Sequence, residues 1–148
     1  MFFISHTASA IEVKSIVDKL NQIPAKSFIS KQVVFDDQEL DDEAHVSGKY
    51  RLQVTFISNG TFYTIWDYDS YVGNDILLVS YVPVSVVNQK YSSVFSLDEV
   101  TGEIIDIMEA KDGGNTIYAN YSETTIKKQN TKQIVKKHLN NIKAFLKM

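Results

Sequence analysis

Between Tyr50 and Tyr68, apolar and polar residues alternate with a period of two on either side of Asn59-Gly60. Tyr50, Leu52, Val54 and Phe56 interleave with Arg51, Gln53, Thr55 and Ile57, the pattern of a half-buried strand. Asn-Gly supplies the two positive φ angles that a tight two-residue turn requires. The segment therefore predicts a β-hairpin with Ser58 opposite Thr61. That register sets Phe56 against Tyr63 and Val54 against Ile65 on the core side. The other face pairs Ile57 with Phe62, Thr55 with Thr64, Gln53 with Trp66 and Arg51 with Tyr68. Two readings suit so mixed a face: a helix or loop covers part of it, or it binds another protein, since Trp, Tyr and Arg anchor interfaces.

Helical periodicity marks both ends of the chain. Ser9 and Glu12 have capping-box spacing, Val13, Ile16, Val17, Leu20 and Ile23 follow a helical stripe, and Pro24 stops it. The last helix is expected to begin near Asn130, with Gln133 at the box position and Val135, Leu139, Ile142 and Leu146 as its buried stripe. Lys132, Lys136, Lys143 and Lys147 fall on another face. Between the helices, Phe28–Phe35 reads as a strand and Asp36–Gly48, which lacks apolar periodicity, as an exposed loop. Asp69–Asp75 reads as a turn. Ile76–Val87 is apolar on both parities, as in a strand buried on both faces, with Pro83 marking a bulge or sheet edge. Tyr91–Leu97 and Glu103–Met108 predict a second hairpin over Asp98–Gly102. A turn at Asp112–Asn115 then leads into a strand at Thr116–Tyr121. The sum is one α+β domain: a mainly antiparallel sheet of about six strands with an N-terminal and a C-terminal helix.

Bulk composition agrees with this picture. The chain has 148 residues, 44% hydrophobic and 22% charged, a length that supports one buried core. It has no cysteine, which removes disulfides, thiolate metal sites and cysteine nucleophiles together. Met1-Phe2-Phe3-Ile4 is apolar but follows no basic segment and is too short for a signal peptide or a membrane span. It reads as a first strand or docked terminus, and the protein as cytoplasmic. Charge is unevenly placed: residues 1–112 carry a net charge of −9 and residues 113–148 of +6. Much of the acidic excess lies in Asp36, Asp37, Glu39, Asp41, Asp42 and Glu43, and the basic excess lies on the tail helix.

Catalytic patterns find little to attach to. His6, His45 and His138 are far apart, and His138 borders the stripe of the last helix. His45-Val46-Ser47 has the His-x-Ser form of two-histidine phosphoesterases, but His6-Thr7-Ala8 does not supply the second motif that chemistry needs. There is no Gly-x-Ser-x-Gly elbow, phosphate-cradling glycine loop, His-Glu-x-x-His or dinucleotide fingerprint. Asp67-Tyr68-Asp69 with Gly73 and Asp75 superficially suits calcium, yet the glycine and glutamate positions of an EF-hand hold Val72 and Leu78. No cofactor and no metal is expected. The tail lysines lack arginine and interleaved aromatics, so nucleic acid is not an expected partner.

The segment Tyr91–Lys128 carries one resemblance. A strand running into Leu97-Asp98, then Thr101-Gly102-Glu103 and a second apolar strand, resembles the C-terminal hairpin of the SUKH superfamily. Asn120-Tyr121-Ser122 and Ile126 look like that family's approach to its last helix. Many of its members are immunity proteins that neutralise toxins delivered by neighbouring bacteria. The resemblance implies a non-enzymatic binding domain whose acidic surface matches a basic nuclease-type toxin; it assigns no binding residue.

The sequence thus supports a non-catalytic, cytoplasmic protein-binding domain, an immunity or inhibitor protein that neutralises a bacterial toxin. Partner-binding candidates are Asp36, Asp37, Glu39, Asp41, Asp42 and Glu43 for steering, with Arg51, Trp66 and Tyr68 as anchors. The second reading is a small acidic secretion-type chaperone forming a homodimer. The third is a cone-shaped ligand-binding or hydrolytic cup lined by Tyr63, Trp66, Tyr81 or Tyr118.

Overall fold

The computed structural model describes residues 8–39, 48–70, 75–89, 91–111, 117–120 and 125–148. Helix α1 (Ala10–Gln22) leads through a 3₁₀ turn (Ala25–Ser27) into β1 (Ser30–Glu39), β2 (Gly48–Ser58), β3 (Thr61–Ser70) and β4 (Asp75–Pro83). A second 3₁₀ segment (Val84–Gln89) precedes β5 (Tyr91–Asp98), β6 (Ile104–Lys111), β7 (Ile117–Asn120) and α2 (Thr125–Leu146). Among the described residues the strands form one seven-stranded antiparallel meander in sequence order. The α+β class and the two terminal helices are as the sequence predicts.

The β2–β3 hairpin has the expected register over most of its length. Asn59 and Gly60 adopt φ of 50° and 69°, and Ser58 pairs with Thr61, Phe56 with Tyr63, Val54 with Ile65 and Gln53 with Trp66. Past Gln53 the pairing departs from expectation. Leu52 faces Asp67 and Tyr50 faces Tyr68, so Arg51 is the extra residue of a β-bulge and does not pair with Tyr68. A bulge turns the following residues over and redirects one side chain.

Leu52, Val54 and Phe56 of β2 share a face with Tyr63 and Ile65, Leu77 and Val79, Phe95 and Leu97, and Ile107. Both helices close on that face through Val13, Ile16, Val17 and Leu20 of α1 and Val135, Leu139, Ile142 and Leu146 of α2. Each large side chain so buried contributes roughly 1.5–3 kcal/mol. Phe28 and Phe56 pack with Phe145, the last pair stacked at 4.1 Å between ring centroids. This aromatic group ties the approach to β1, the centre of β2 and the end of α2 together.

Helix α1 is fixed at both ends by side chains. Ser9 Oγ accepts the N–H of Glu12 at 3.1 Å, the cap expected from the sequence. The Glu12 carboxylate does not complete the box; it pairs with Lys143 Nζ of α2. At the other end Lys31 Nζ of β1 donates to the carbonyls of Leu20, Asn21 and Ile23 at 3.0, 2.9 and 2.6 Å. A cation there meets the negative pole of the helix and its unpaired carbonyls at once.

Several element boundaries differ from the expected ones. Asp36, Asp37 and Glu39 belong to β1, where a loop is predicted; Gln38 and Glu39 pair with Tyr50 and Lys49 of β2, which needs no apolar periodicity. Between the pairs Val33–Leu52 and Gln38–Tyr50 the strand carries four residues against one on β2. The strand expected from Phe28 begins at Ser30, after the 3₁₀ turn. The apolar run after Pro83 forms a 3₁₀ segment, not strand, since Pro83 has no N–H to continue the ladder; residues 76–79, by contrast, are buried on both faces. Helix α2 starts at Thr125, five residues before Asn130, because nothing between them breaks a helix. The expected features at residues 1–4, 71–74 and 112–115, and the remainder of the acidic loop, lie outside the described residues.

Gly102 ends the β5–β6 turn with φ of 72°, directly beneath the chain that leads into α1. A Cβ built on Gly102 would overlap the Ala8 carbonyl. Gly102→Ala therefore combines a disfavoured φ with displacement of backbone. It is expected to lower unfolding stability by more than about 2 kcal/mol, read as a reduced urea midpoint with an unchanged slope. A shift under about 0.5 kcal/mol would mean that the turn and the start of α1 do not bear on each other.

Candidate functional site

Two groups of polar side chains lie between the sheet and the helices. The first follows from the bulge. Arg51 Nη2 donates to Asp67 Oδ1 of β3 at 3.1 Å and to Asp75 Oδ1 of β4 at 2.9 Å. Its guanidinium stays charged: burial works against the charge, but Asp67, Asp75 and Glu99 outweigh it and raise the pKa. Asp67 sits on the helix-facing side, buried, where alternation alone would place an apolar residue. Arg51 supplies the charge that a buried carboxylate needs.

Glu99, from the β5–β6 turn, completes the group. Glu99 Oε1 and Arg51 Nε are buried without partners. Burial, then the nearby carboxylates of Asp67 and Asp75, push the Glu99 carboxyl up to about 9, against the opposing pull of Arg51. Beside it a cleft of about 300 Å³ opens between α1 and the turn, with Lys14, Asp18, Asp75 and Glu99 as polar walls and Ile11 and Val100 at its apolar edge.

The second group docks α2 onto the β2–β3 hairpin. Asn141 Nδ2 donates to Tyr63 Oη at 2.9 Å, and Tyr63 Oη lies 2.6 Å from His138 Nδ1. Burial, with a smaller contribution from Lys137, lowers the His138 pKa to about 4. Burial also raises that of Tyr63 against its bonds to Asn141 and Thr61. A neutral imidazole therefore accepts the phenol proton at Nδ1. Asn59 Nδ2 donates to Asn141 Oδ1 at 2.8 Å, and Ser58 Oγ donates to the Asn141 carbonyl at 2.7 Å. His138 also lies 3.9 Å from the Tyr81 ring centre. It is part of the core and not its border.

The expected anchors divide between these places. Arg51 is drawn into the carboxylate group. Tyr68 is 1% exposed, packed with Ile76, Leu78 and Val94, and burial pushes its phenol up to about 12. Tyr68, expected as an anchor, is thus a packed side chain in this structure. Trp66 is half-buried against the same cluster, with Tyr50. Asp36, Asp37 and Glu39 are carried by β1; Asp41, Asp42 and Glu43, like His6 and His45, lie outside the described residues. The aromatic residues expected to line a cup are divided between the faces of the sheet among the described residues. Tyr63 and Tyr81 pair on the helix face, Trp66 is on the other face, and the Tyr118 side chain lies outside what is described.

Asp67, Asp75, Glu99 and Asn141 do not stand out in the sequence. The carboxylates come from three separate elements joined by a bulge that leaves no periodic mark. His138 was legible in part, as a polar residue beside the apolar stripe of the last helix. Among the described residues no three His, Asp or Glu side chains form a metal-holding set, and no helix is long and apolar enough to cross a membrane. No family model, curated protein or solved structure matches the chain.

Tyr63→Phe removes the hydroxyl that serves both His138 and Asn141, leaving two buried groups unpaired. The expected cost is about 1–3 kcal/mol. His138 adds a pH dependence of definite sign. Its folded pKa lies below the unfolded value of 6.5, so its contribution is complete above pH 6.5 and is lost as pH falls towards 4. The slope in that window is at most about 1.4 kcal/mol per pH unit. Denaturation curves of wild type and His138→Gln across pH 4–8 should differ by this component; parallel pH dependences would show that the folded pKa of His138 is not lowered.

Proposed function

We propose that this chain is a non-catalytic protein-binding domain, an immunity- or inhibitor-type protein that occludes a basic toxin, and that β1 is the strand it binds through. The observation that supports this is the position of β1: it is the terminal strand of the described sheet and carries Asp36, Asp37 and Glu39. A terminal strand has unpaired N–H and C=O groups along its outer edge and serves as a template for another chain unless something prevents it. Charge selects among templates. Two copies of β1 pairing antiparallel would bring their carboxylates together, which disfavours the edge-to-edge homodimer of a chaperone. A basic strand or loop is drawn to the same edge, and its association is sped by the field.

The resemblance of the β5–β6 hairpin to the SUKH superfamily agrees with this reading. The internal polar groups agree with it also: Arg51, Tyr63, His138 and Asn141 are engaged with one another or with neighbouring side chains, so the molecule's recognition chemistry is sought at its periphery.

The test is affinity capture from the source cells at low salt with the wild type and an Asp36→Asn/Asp37→Asn/Glu39→Gln variant side by side. The expected result is one stoichiometric basic protein that arrests growth when expressed alone and is silenced by co-expression. Its association with the variant should be slower by roughly tenfold at low salt, with the difference fading as salt rises. Equal association rates for the two forms would remove β1 from the mechanism. A clean, partner-free homodimer in light scattering would favour the chaperone reading.

A further inference from the structure

The cleft beside Glu99 combines apolar and acidic walls. Among the described residues Ile11 and Val100 are the most exposed large hydrophobic side chains, at 82% and 71%. They line the same cleft from opposite sides, Ile11 on α1 and Val100 on the β5–β6 turn. Aliphatic groups left in water on both sides of one opening favour a third aliphatic chain laid between them. The polar walls have an unmet demand of their own. Glu99 Oε1 is buried without a donor, although a buried acceptor ordinarily has one. Arg51 engages Oδ1 of Asp75, whose side chain stays 46% exposed, and Asp18 is exposed on α1. Three carboxylates, those of Asp18, Asp75 and Glu99, thus line about 300 Å³ of open space against one cation, Lys14. Burial and the nearby carboxylates disfavour the charged form of Glu99, so the site is short of positive charge.

The walls are held before anything enters. Asp98 Oδ1 accepts the N–H groups of Val100 and Thr101 at 2.7 and 2.8 Å. Glu99 N–H donates to the Asp75 carbonyl at 2.9 Å, which hangs the turn on β4. Gly102 abuts the Ala8 backbone at the start of α1 with no room to spare. A cleft fixed in this way spends little binding free energy on ordering itself.

We propose that this cleft receives an arginine side chain of a protein partner, with its methylene stem between Ile11 and Val100 and its guanidinium on Asp18, Asp75 and Glu99. Arginine meets both demands of the walls, an apolar stem ending in a planar fork of N–H donors. The fold makes the same pairing internally, where Arg51 binds Asp67 and Asp75. The cleft also lies at the end of the sheet where the acidic part of β1 ends. Glu39 pairs with Lys49, Lys49 with Asp69 and Asp69 with Asp75, a span of three strand spacings or about 15 Å. One basic partner can reach both places. Only the source of the arginine rests on the binding reading above; the cleft itself is testable without that partner.

The test is an NMR titration of the full chain with N-acetyl-L-arginine methylamide at low salt and neutral pH, with the uncharged citrulline analogue as control. The expected result is saturable shifts of the Asp18 and Val100 amides, with nuclear Overhauser contacts from the probe methylenes to the Ile11 and Val100 methyl groups. The citrulline probe should bind about tenfold more weakly. Asp18→Asn should weaken arginine binding by up to about fivefold, and Lys14→Met should strengthen it by a similar factor. Both positions are exposed, so neither substitution bears on the fold, and the opposite signs separate charge from a general disturbance. The Asp36→Asn/Asp37→Asn/Glu39→Gln variant should bind the probe as the wild type does, so failure of the cleft and failure of the β1 edge are told apart. Shifts that never saturate, no contacts to Ile11 and Val100, equal binding of the citrulline probe, or an equal response of Asp18→Asn and Lys14→Met would each overturn the assignment.

Discussion

The rest of the structure depends on a two-residue constraint at Asn59-Gly60. Both residues take positive φ, and a turn of that kind admits one register for the strands it joins. From it follow the pairs that put Phe56, Tyr63, Val54 and Ile65 on the helix side. The same turn acts in the third dimension. Asn59 binds the Asn141 side chain, Ser58 binds its backbone, and Asn141 holds the Tyr63 hydroxyl that meets His138. A residue chosen for its tolerance of left-handed backbone thus also sets where α2 lands. Register and helix docking are coupled because both pass through one side-chain amide.

Burial penalises charge at both His138 and Glu99, lowering the pKa of the first and raising that of the second. The consequences run in opposite directions. His138 refuses a proton that the unfolded chain accepts, and Glu99 keeps one that the unfolded chain gives up. Between pH 4.5 and 6.5 the two effects oppose each other; above 6.5 only the Glu99 effect remains.

How far the sequence could be read depended on whether an element's cause was local. The hairpin was legible from Ser58 to Gln53 because Asn-Gly is a local cause. It ceased to be legible at Arg51, since Tyr50 and Leu52 share a parity in sequence and lie on opposite faces once Arg51 bulges. Nothing near Arg51 announces this; its cause is the distant pair Asp67 and Asp75, which need a cation on the helix side. The end of β1 looked like loop because backbone pairing of Gln38 and Glu39, not apolar packing, makes it strand. The Val84–Gln89 segment looked like strand because its residues are apolar, although Pro83 had already ended the ladder. The Ser9 cap and the α1 stripe, both local, were read correctly. The carboxylate group and Asn141, both tertiary, were not visible.

That division bears on where recognition belongs. The helix-facing side of the sheet is consumed by packing and by polar groups that bind one another, so little of it is free for a partner. What lies at the periphery is of a different character. β1 brings acidic residues to the end of the sheet, Ile57 is 46% exposed on the face away from the helices, and Trp66 is half-buried there. Such a surface offers backbone groups, charge and modest apolar area together, the mixture from which transient and inhibitory interfaces are made. The interior needs close complementarity to hold one register and one docking of α2, whereas the edge needs only charge and reach. A chain that separates those demands can vary β1 while leaving Asn59, Tyr63, His138 and Asn141 untouched.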